Sequence, residues 1–191
     1  MNIVCVYGSP RPKGNSATIA NRFIESATES GANVKKFELN KLDYRGCQGC
    51  MTCKGKTGKC LLDDDMTEVI EAVRETDILV IATPVYYSYI PGPLKTFIDR
   101  TWAFVKPDYM TNPVPTRLEP GKKMVFIQTQ GAEDENIHKD VYQKIEKFFE
   151  LYGFKDIRTI LACGVNAPGE VKRLEDVMEL ADKTACELMA A

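Results

Sequence analysis

Ile3-Val4-Cys5-Val6-Tyr7-Gly8-Ser9-Pro10-Arg11-Pro12-Lys13-Gly14-Asn15-Ser16 is the stretch on which the fold turns. Its short apolar run reads as a buried strand, as in a parallel sheet covered on both faces. A glycine-bearing turn follows. Ile19, Phe23, Ile24 and Ala27 then fall at i, i+4, i+5 and i+8, which is one face of a helix. The alternation continues along the chain. Residues 33–39, 78–82, 124–128 and 157–162 read as further strands. Between them, Asp63 to Asp65 offer an acidic N-cap to a helix with Met66, Val69, Ile70 and Val73 on its apolar face. Gly92-Pro93 opens a helix through Trp102, and Val141, Ile145, Phe148, Phe149 and Tyr152 stripe another that Gly153 stops. A last helix begins near Gly169. Five buried strands interleaved with helices predict an α/β, doubly wound parallel sheet. The one long irregular connection is 105–121, which carries Pro107, Pro113, Pro115 and Pro120 and is expected to be functional or to meet a partner.

Composition narrows the function. At 191 residues the chain is expected to be one domain with a proper core. The formal net charge of −2 gives no support for nucleic-acid binding. No apolar run approaches the length that spans a bilayer. The first residues run straight into a strand without a basic leader or cleavage site, so no signal peptide is expected, and a cytoplasmic location follows by default. In that compartment thiols stay reduced, and a dense cysteine run reads as metal-binding or redox-active before it reads as disulfides. Cys5, Cys163 and Cys186 read as core residues.

The turn after the first strand is an anion site by composition. It combines hydroxyls, an amide, cations and free backbone N–H groups at a helix N-terminus. It matches neither G-x-x-x-x-G-K-S/T nor G-x-G-x-x-G, which disfavours nucleoside triphosphates and the usual dinucleotide mode. A single terminal phosphate such as that of FMN suits it.

Cys47, Cys50, Cys53 and Cys60 are spaced C-x2-C-x2-C-x6-C. Three thiolates at two-residue gaps with a fourth further on follow the ligand logic of a [4Fe-4S] cluster. Zinc ordinarily takes two separated knuckles, and the second is missing here. Unmetallated thiols, a thiol sensor and zinc remain the alternatives. Gly46, Gly49, Gly55 and Gly58 give the segment freedom, and Lys54, Lys56 and Lys59 can offset a cluster's negative charge.

Gly8-Ser9-Pro10-Arg11-x-x-Gly14-Asn15-Ser16 resembles the phosphate loop of the flavodoxin-like NADPH-dependent FMN reductase family. The run from Thr83-Pro84-Val85-Tyr86-Tyr87-Ser88-Tyr89-Ile90-Pro91-Gly92-Pro93-Leu94-Lys95 to Thr96-Phe97-Ile98-Asp99-Arg100 is similar to that family's P-x-Y…P-G-x-L-K-x-F-I-D-R signature. The cysteine run resembles its iron–sulfur flavoprotein branch. The resemblance covers essentially the whole chain. It implies a flavodoxin-like domain over 1–191, strand order 2-1-3-4-5, with a cysteine-rich cluster-binding insertion at about 46–62. It implies that Ser9, Arg11, Asn15, Ser16 and the amide of Ala17 hold the FMN phosphate. Pro84, Val85, Tyr86, Tyr87 and Ser88 would line the flavin ring, and Thr129, Gln130 and Gly131 would form a third flavin-facing loop. Cys47, Cys50, Cys53 and Cys60 would hold the cluster. A homodimer or homotetramer is implied, with flavin and cluster of different subunits close together. Lone His138 reads as a solvated surface residue, and no catalytic acid or base is expected. The function that follows is electron transfer between a one-electron carrier, ferredoxin-like, or NAD(P)H and a small-molecule acceptor. A cluster-free NAD(P)H-dependent FMN or quinone reductase and a redox-sensing flavoprotein acting through a partner stand as rivals.

Overall fold

The computed structural model describes residues 1–190. Strands β1 (Asn2–Tyr7), β2 (Asn33–Glu38), β3 (Ile78–Pro84), β4 (Lys123–Thr129) and β5 (Asp156–Ala162) form one parallel sheet in the order β2-β1-β3-β4-β5. This is the doubly wound, flavodoxin-like arrangement expected from the sequence. Alternate residues of each central strand face opposite layers. Cys5, Val80 and Val125 pack with helices α1 (Asn15–Glu29) and α5 (Glu175–Ala190). Val4, Val6, Leu79, Ile81 and Phe126 pack beneath α2 (Asp65–Glu75), α3 (Gly92–Arg100) and α4 (Lys139–Leu151).

The boundaries differ from expectation in ways that have local causes. The third helix ends at Arg100 and tightens into a 3-10 turn over Thr101–Phe104. There the Thr101 hydroxyl donates back to the Ile98 carbonyl at 2.6 Å, a local bond that competes with the helical ladder. Phe148 is exposed while Val141, Ile145 and Phe149 are buried, because it stands at the edge of the apolar stripe. Only Cys5 of the three expected core thiols is buried; Cys163 is half-buried and Cys186 exposed. On α5 the inward positions are Ala181, Ala185 and Leu188, which leaves Cys186 on the outer face. No helix among the described residues is long and apolar enough to cross a membrane.

The connection 105–121 is more ordered than its prolines imply. Val105 and Thr116 form an antiparallel bridge, Lys106 N–H donates to the Pro115 carbonyl at 2.8 Å and Arg117 N–H to Phe104 at 2.7 Å. Its base packs on the cysteine segment, where Arg117 Nη2 donates to the Gly55 carbonyl at 3.1 Å.

The cysteine segment itself has little regular structure and is held by side chains from the body of the fold. Arg100, whose side chain is 0% exposed, makes a two-pronged pair with Asp64, Nη1 to Oδ2 at 2.9 Å and Nη2 to Oδ1 at 3.0 Å. The same nitrogens donate to the Arg45 carbonyl (2.9 Å) and the Leu62 carbonyl (3.3 Å), the two ends of the cysteine segment. Arg74 Nη2 donates to the Gly58 carbonyl at 2.7 Å. Asp64 also caps α2, accepting from Met66 N–H, with Thr67 returning the bond to Asp64 N–H.

Burial alone would lift the Asp64 carboxyl, but the Arg100 fork and the N–H groups of Arg45 and Met66 outweigh it and hold the pKa below the usual range. A depressed carboxylate contributes stability that is complete above its unfolded pKa, about 3.9, and is lost as pH falls through the lower folded value. Thermal melts from pH 7 to 2 are expected to show that acid loss, setting in below about pH 5, in the unaltered chain. Asp64→Ala should flatten it and cost about 3–5 kcal/mol at neutral pH, because a buried arginine is left unpaired.

Candidate functional site

Loops leaving the carboxyl ends of β1, β3, β4 and β5 enclose a cleft of about 340 Å³, within the size range of cofactor sites and at the edge where parallel sheets of this kind bind ligands. One wall is the turn into α1. Gly14 caps that helix without any side-chain bond to its first N–H groups, and no acidic residue sits in the first turn. The orphan donors and the positive end of the helix dipole are therefore available to an anion. Ser9, Arg11, Asn15 and Ser16 line this end of the cleft. Ala17 is buried behind it. The Asn15 amide is occupied by the opposite wall, donating to the Ala167 carbonyl at 3.0 Å and accepting from Val171 N–H at 3.2 Å. Asn15 thus shapes the cleft with its side chain and offers it a backbone N–H. Arg11 Nη1 donates to the Asn166 carbonyl at 3.2 Å, which leaves the rest of its guanidinium for a ligand.

The other end is flatter and partly apolar. Pro84, Val85 and Tyr86 line it, facing Thr129, Gln130 and Gly131. Val85 N–H donates to the Thr129 carbonyl at 2.8 Å, tying the two loops together. Gln130 is fixed by donation to the Asp134 carbonyl (2.9 Å) and by acceptance from Gln128 Nε2 (3.2 Å). Tyr87 and Ser88, expected beside the ring, are not in the cleft wall. They form the tip of a two-residue turn whose flanks, Tyr86 and Tyr89, exchange backbone hydrogen bonds of 2.8 and 3.0 Å. Both tip residues have positive φ, 50° and 58°, as a primed hairpin turn demands. That geometry throws Tyr87 fully into solvent. Two side chains outside glycine held in the left-handed region represent about 1–3 kcal/mol of strain each, a feature that clusters at functional loops.

Sequence reading missed the wall made by Val165, Asn166 and Pro168, after β5. The signal was available in topology alone: this loop leaves the same sheet edge as the other three. It comes very close to the β4 loop, since a Cβ placed on Gly131 would collide with Asn166 Oδ1. His138 precedes α4 and is half-buried, its carbonyl accepting from Gln128 Nε2 and from Val141 N–H.

A second cavity, about 40 Å³, is ringed by Cys47, Cys50, Cys53 and Cys60, with Arg100, Trp102 and Leu62 among its other walls. All four cysteines are free thiols. Among the described residues, no three His, Cys, Asp or Glu side chains converge tightly enough to hold a single metal ion. The thiols surround a space and do not meet at a point. A tetrahedral zinc ion bonds each sulfur at ~2.3 Å and needs convergence, whereas a cluster takes its thiolates on different irons, further apart. Burial lifts the Cys53 thiol, and the neighbouring cysteine charges push the same way. Of the three lysines expected to offset negative charge, only Lys54 reaches inward. It donates to the carbonyls of Trp102 and Val105 and lies 4.0 Å from the Trp102 ring centroid. Lys59 pairs with Glu71 at 3.9 Å, and Lys56 is exposed. The buried cation in the cavity wall is Arg100, which the sequence reading did not single out.

The cleft and the cavity share no lining residue. The loop before α3 lines the first, and the end of α3 lines the second. Residues 87–91 and the nine residues of α3 lie between Tyr86 of the cleft and the cavity end of the helix.

A family model for the flavodoxin-like fold matches residues 1–185. The chain is similar to an iron–sulfur flavoprotein of Methanocaldococcus jannaschii, 31% identical over 168 residues, 88% of this chain and 78% of that protein. It is similar to an iron–sulfur flavoprotein of Archaeoglobus fulgidus, 38% identical over 100 residues, 52% of this chain and 45% of the relative. The chain spans about half the length of most of the curated relatives it matches. Among solved structures, an FMN-dependent NADH-azoreductase of Bacillus anthracis in complex with FMN has the same fold, with a TM-score of 0.74, 20% identity and 98% of each chain covered.

The contact between the β4 and β5 loops gives a local test. Gly131→Ala should destabilise the chain by about 1 kcal/mol or less, because the atom it meets is the free end of the exposed Asn166 side chain, which can turn away. Adding Asn166→Ala should return most of that loss, and a double-mutant cycle by denaturant unfolding measures the coupling.

Proposed function

The chain belongs to the flavodoxin-like NADPH-dependent FMN reductase family, in its iron–sulfur flavoprotein branch, and on that premise we propose that it is an FMN-dependent oxidoreductase that transfers electrons through FMN and a [4Fe-4S] cluster. The observation that carries the reading is the pairing of sites: an anion-binding cleft at the carboxyl edge of the sheet and a four-thiol cavity walled by the end of α3.

The residues present fit both groups. For FMN, the unpaired N–H groups of the first turn of α1, with Ser9, Arg11 and Ser16, suit a terminal phosphate. Asn15 and Ala17 add backbone donors, and Asn15 braces the opposite wall. Pro84, Val85 and Tyr86 on one side and Thr129, Gln130 and Gly131 on the other make a slot for a planar ring. Tyr87 and Ser88 would reach a ring only from another subunit or after the turn moves. For the cluster, Cys47, Cys50, Cys53 and Cys60 supply four thiolates in an apolar, arginine-backed cavity. When bound, FMN supplies chemistry in which two electrons can be taken together and released singly, and a cluster supplies one-electron transfer. The protein's part is to present four thiols in a cavity walled by Arg100, Trp102 and Leu62, and to hold the β3 and β4 loops at a fixed separation through the bond from Val85 N–H to the Thr129 carbonyl. No side chain is asked to donate or accept a proton.

The donor is a ferredoxin-like carrier or NAD(P)H, the acceptor a small molecule, and the assembly a homodimer or homotetramer, each as the branch implies. The domain runs over 1–191, with the cysteine-rich insertion at about 46–62. A cytoplasmic setting suits seven unpaired cysteines. A second reading, a cluster-free NAD(P)H-dependent FMN or quinone reductase, is favoured by one observation: two of the four thiols, Cys47 and Cys50, are exposed to solvent.

Anaerobic purification with iron and flavin assays separates the two. The expected product is brown, with one FMN and one [4Fe-4S] cluster per chain. A yellow protein with stoichiometric FMN and no iron sinks the cluster reading and leaves the reductase. Cys53→Ser is expected to lose iron and keep FMN, measured by the same assays.

A further inference from the structure

The guanidinium of an arginine carries five N–H donors. In Arg100 the fold uses four: two on Asp64, one on the Arg45 carbonyl and one on the Leu62 carbonyl. The fifth, Nε–H, is buried and has no hydrogen-bond partner. A buried donor left unpaired costs about 1–3 kcal/mol, and native structures rarely keep one without a reason. Arg100 is a wall of the cavity ringed by the four cysteines.

We propose that the free Nε–H of Arg100, in the wall of the cavity ringed by the four cysteines, is the donor that the site provides for the thiolates of its bound cluster, so that Arg100 offsets the charge of the site. The inference rests on the cluster reading and goes beyond it by assigning a residue that is no ligand. Asp64 holds the fork at both Nη atoms, so the Nε–H is fixed in direction and no side-chain freedom is lost when an acceptor arrives. Lys54 already gives two of its three N–H groups to the carbonyls of Trp102 and Val105 and lies over the Trp102 ring, whereas the Arg100 Nε–H has no partner at all. An arginine keeps its proton throughout the working pH range. It therefore stabilises the reduced, more negative site with no proton uptake, and both its charge and its hydrogen bond to sulfur raise the reduction potential.

The test uses the iron- and FMN-loaded chain. Arg100→Gln, with iron, flavin and melting temperature measured alongside, is expected to make cluster reduction at least tenfold less favourable, 59 mV for a one-electron couple. A variant that keeps its iron with an unchanged potential overturns the proposal. Because the substitution also removes the Asp64 clamp, a second measurement uses the unaltered chain labelled with ¹⁵N-arginine. Pulsed electron paramagnetic resonance of the reduced cluster is expected to show coupling to one guanidinium nitrogen, and its absence overturns the proposal. A chain that binds FMN but takes up no iron overturns this inference together with the cluster reading. Iron bound without an arginine signal overturns this inference alone.

Discussion

The buried pair between Arg100 and Asp64 is the constraint on which the functional half of the molecule depends. Removing a guanidinium from water is costly, and a buried pair is retained only where geometry and further hydrogen bonds compensate. Here they do so by joining three things that have no other reason to meet. Asp64 starts α2, Arg100 ends α3, and the remaining donors of the fork close on the carbonyls at either end of the cysteine segment. A stretch rich in glycine, with no ladder of its own, is given a fixed shape through its backbone. Arg74 and Arg117 repeat the device on Gly58 and Gly55. Side-chain packing does little of this work, since Cys47, Cys50 and Met51 are exposed.

The sheet imposes the complementary constraint. Parallel strands carry their outgoing loops to one edge, and a binding cleft forms where those loops face each other. Close approach is what the local sequence allows there. Gly8 admits Leu94 of α3 against the end of β1, where a Cβ would come within 2.9 Å of it. Gly131 does the same for Asn166. The strained turn at Tyr87 and Ser88 follows β3 at the same sheet edge and is closed by two backbone bonds between Tyr86 and Tyr89.

Periodicity carried most of the fold. The central strands β1, β3 and β4 are near-continuous apolar runs and each helix shows one apolar stripe, so these elements follow from local pattern, whereas β2 and β5, expected as buried, are edge strands with partly exposed residues, and the strand order follows from the family resemblance. Where the pattern misled, a nearby competing force explains it. Trp102 lies past the end of α3 because a threonine hydroxyl captures a helical carbonyl, and Cys186 faces outward because helix phase outranks the apolar character of a thiol. The anion-binding turn was legible because hydroxyls and glycine at a helix start have a local meaning. The wall formed by Asn166 and Pro168 was not, since its partner lies on another loop far away in sequence.

By itself, then, the sequence determined the alternation of strand and helix, the anion-binding turn after β1 and the spacing of the four thiols, because each is written in neighbours along the chain. Only the tertiary structure decided that Tyr87 and Ser88 leave the cleft, that Asn15 spends its amide on the opposite wall, and that the cation facing the cysteines is Arg100 and not the adjacent lysines. Those outcomes depend on which side chains from distant elements compete for the same buried hydrogen bonds. An arginine forty residues beyond the last cysteine carries no sign in the sequence of the carbonyls it will meet.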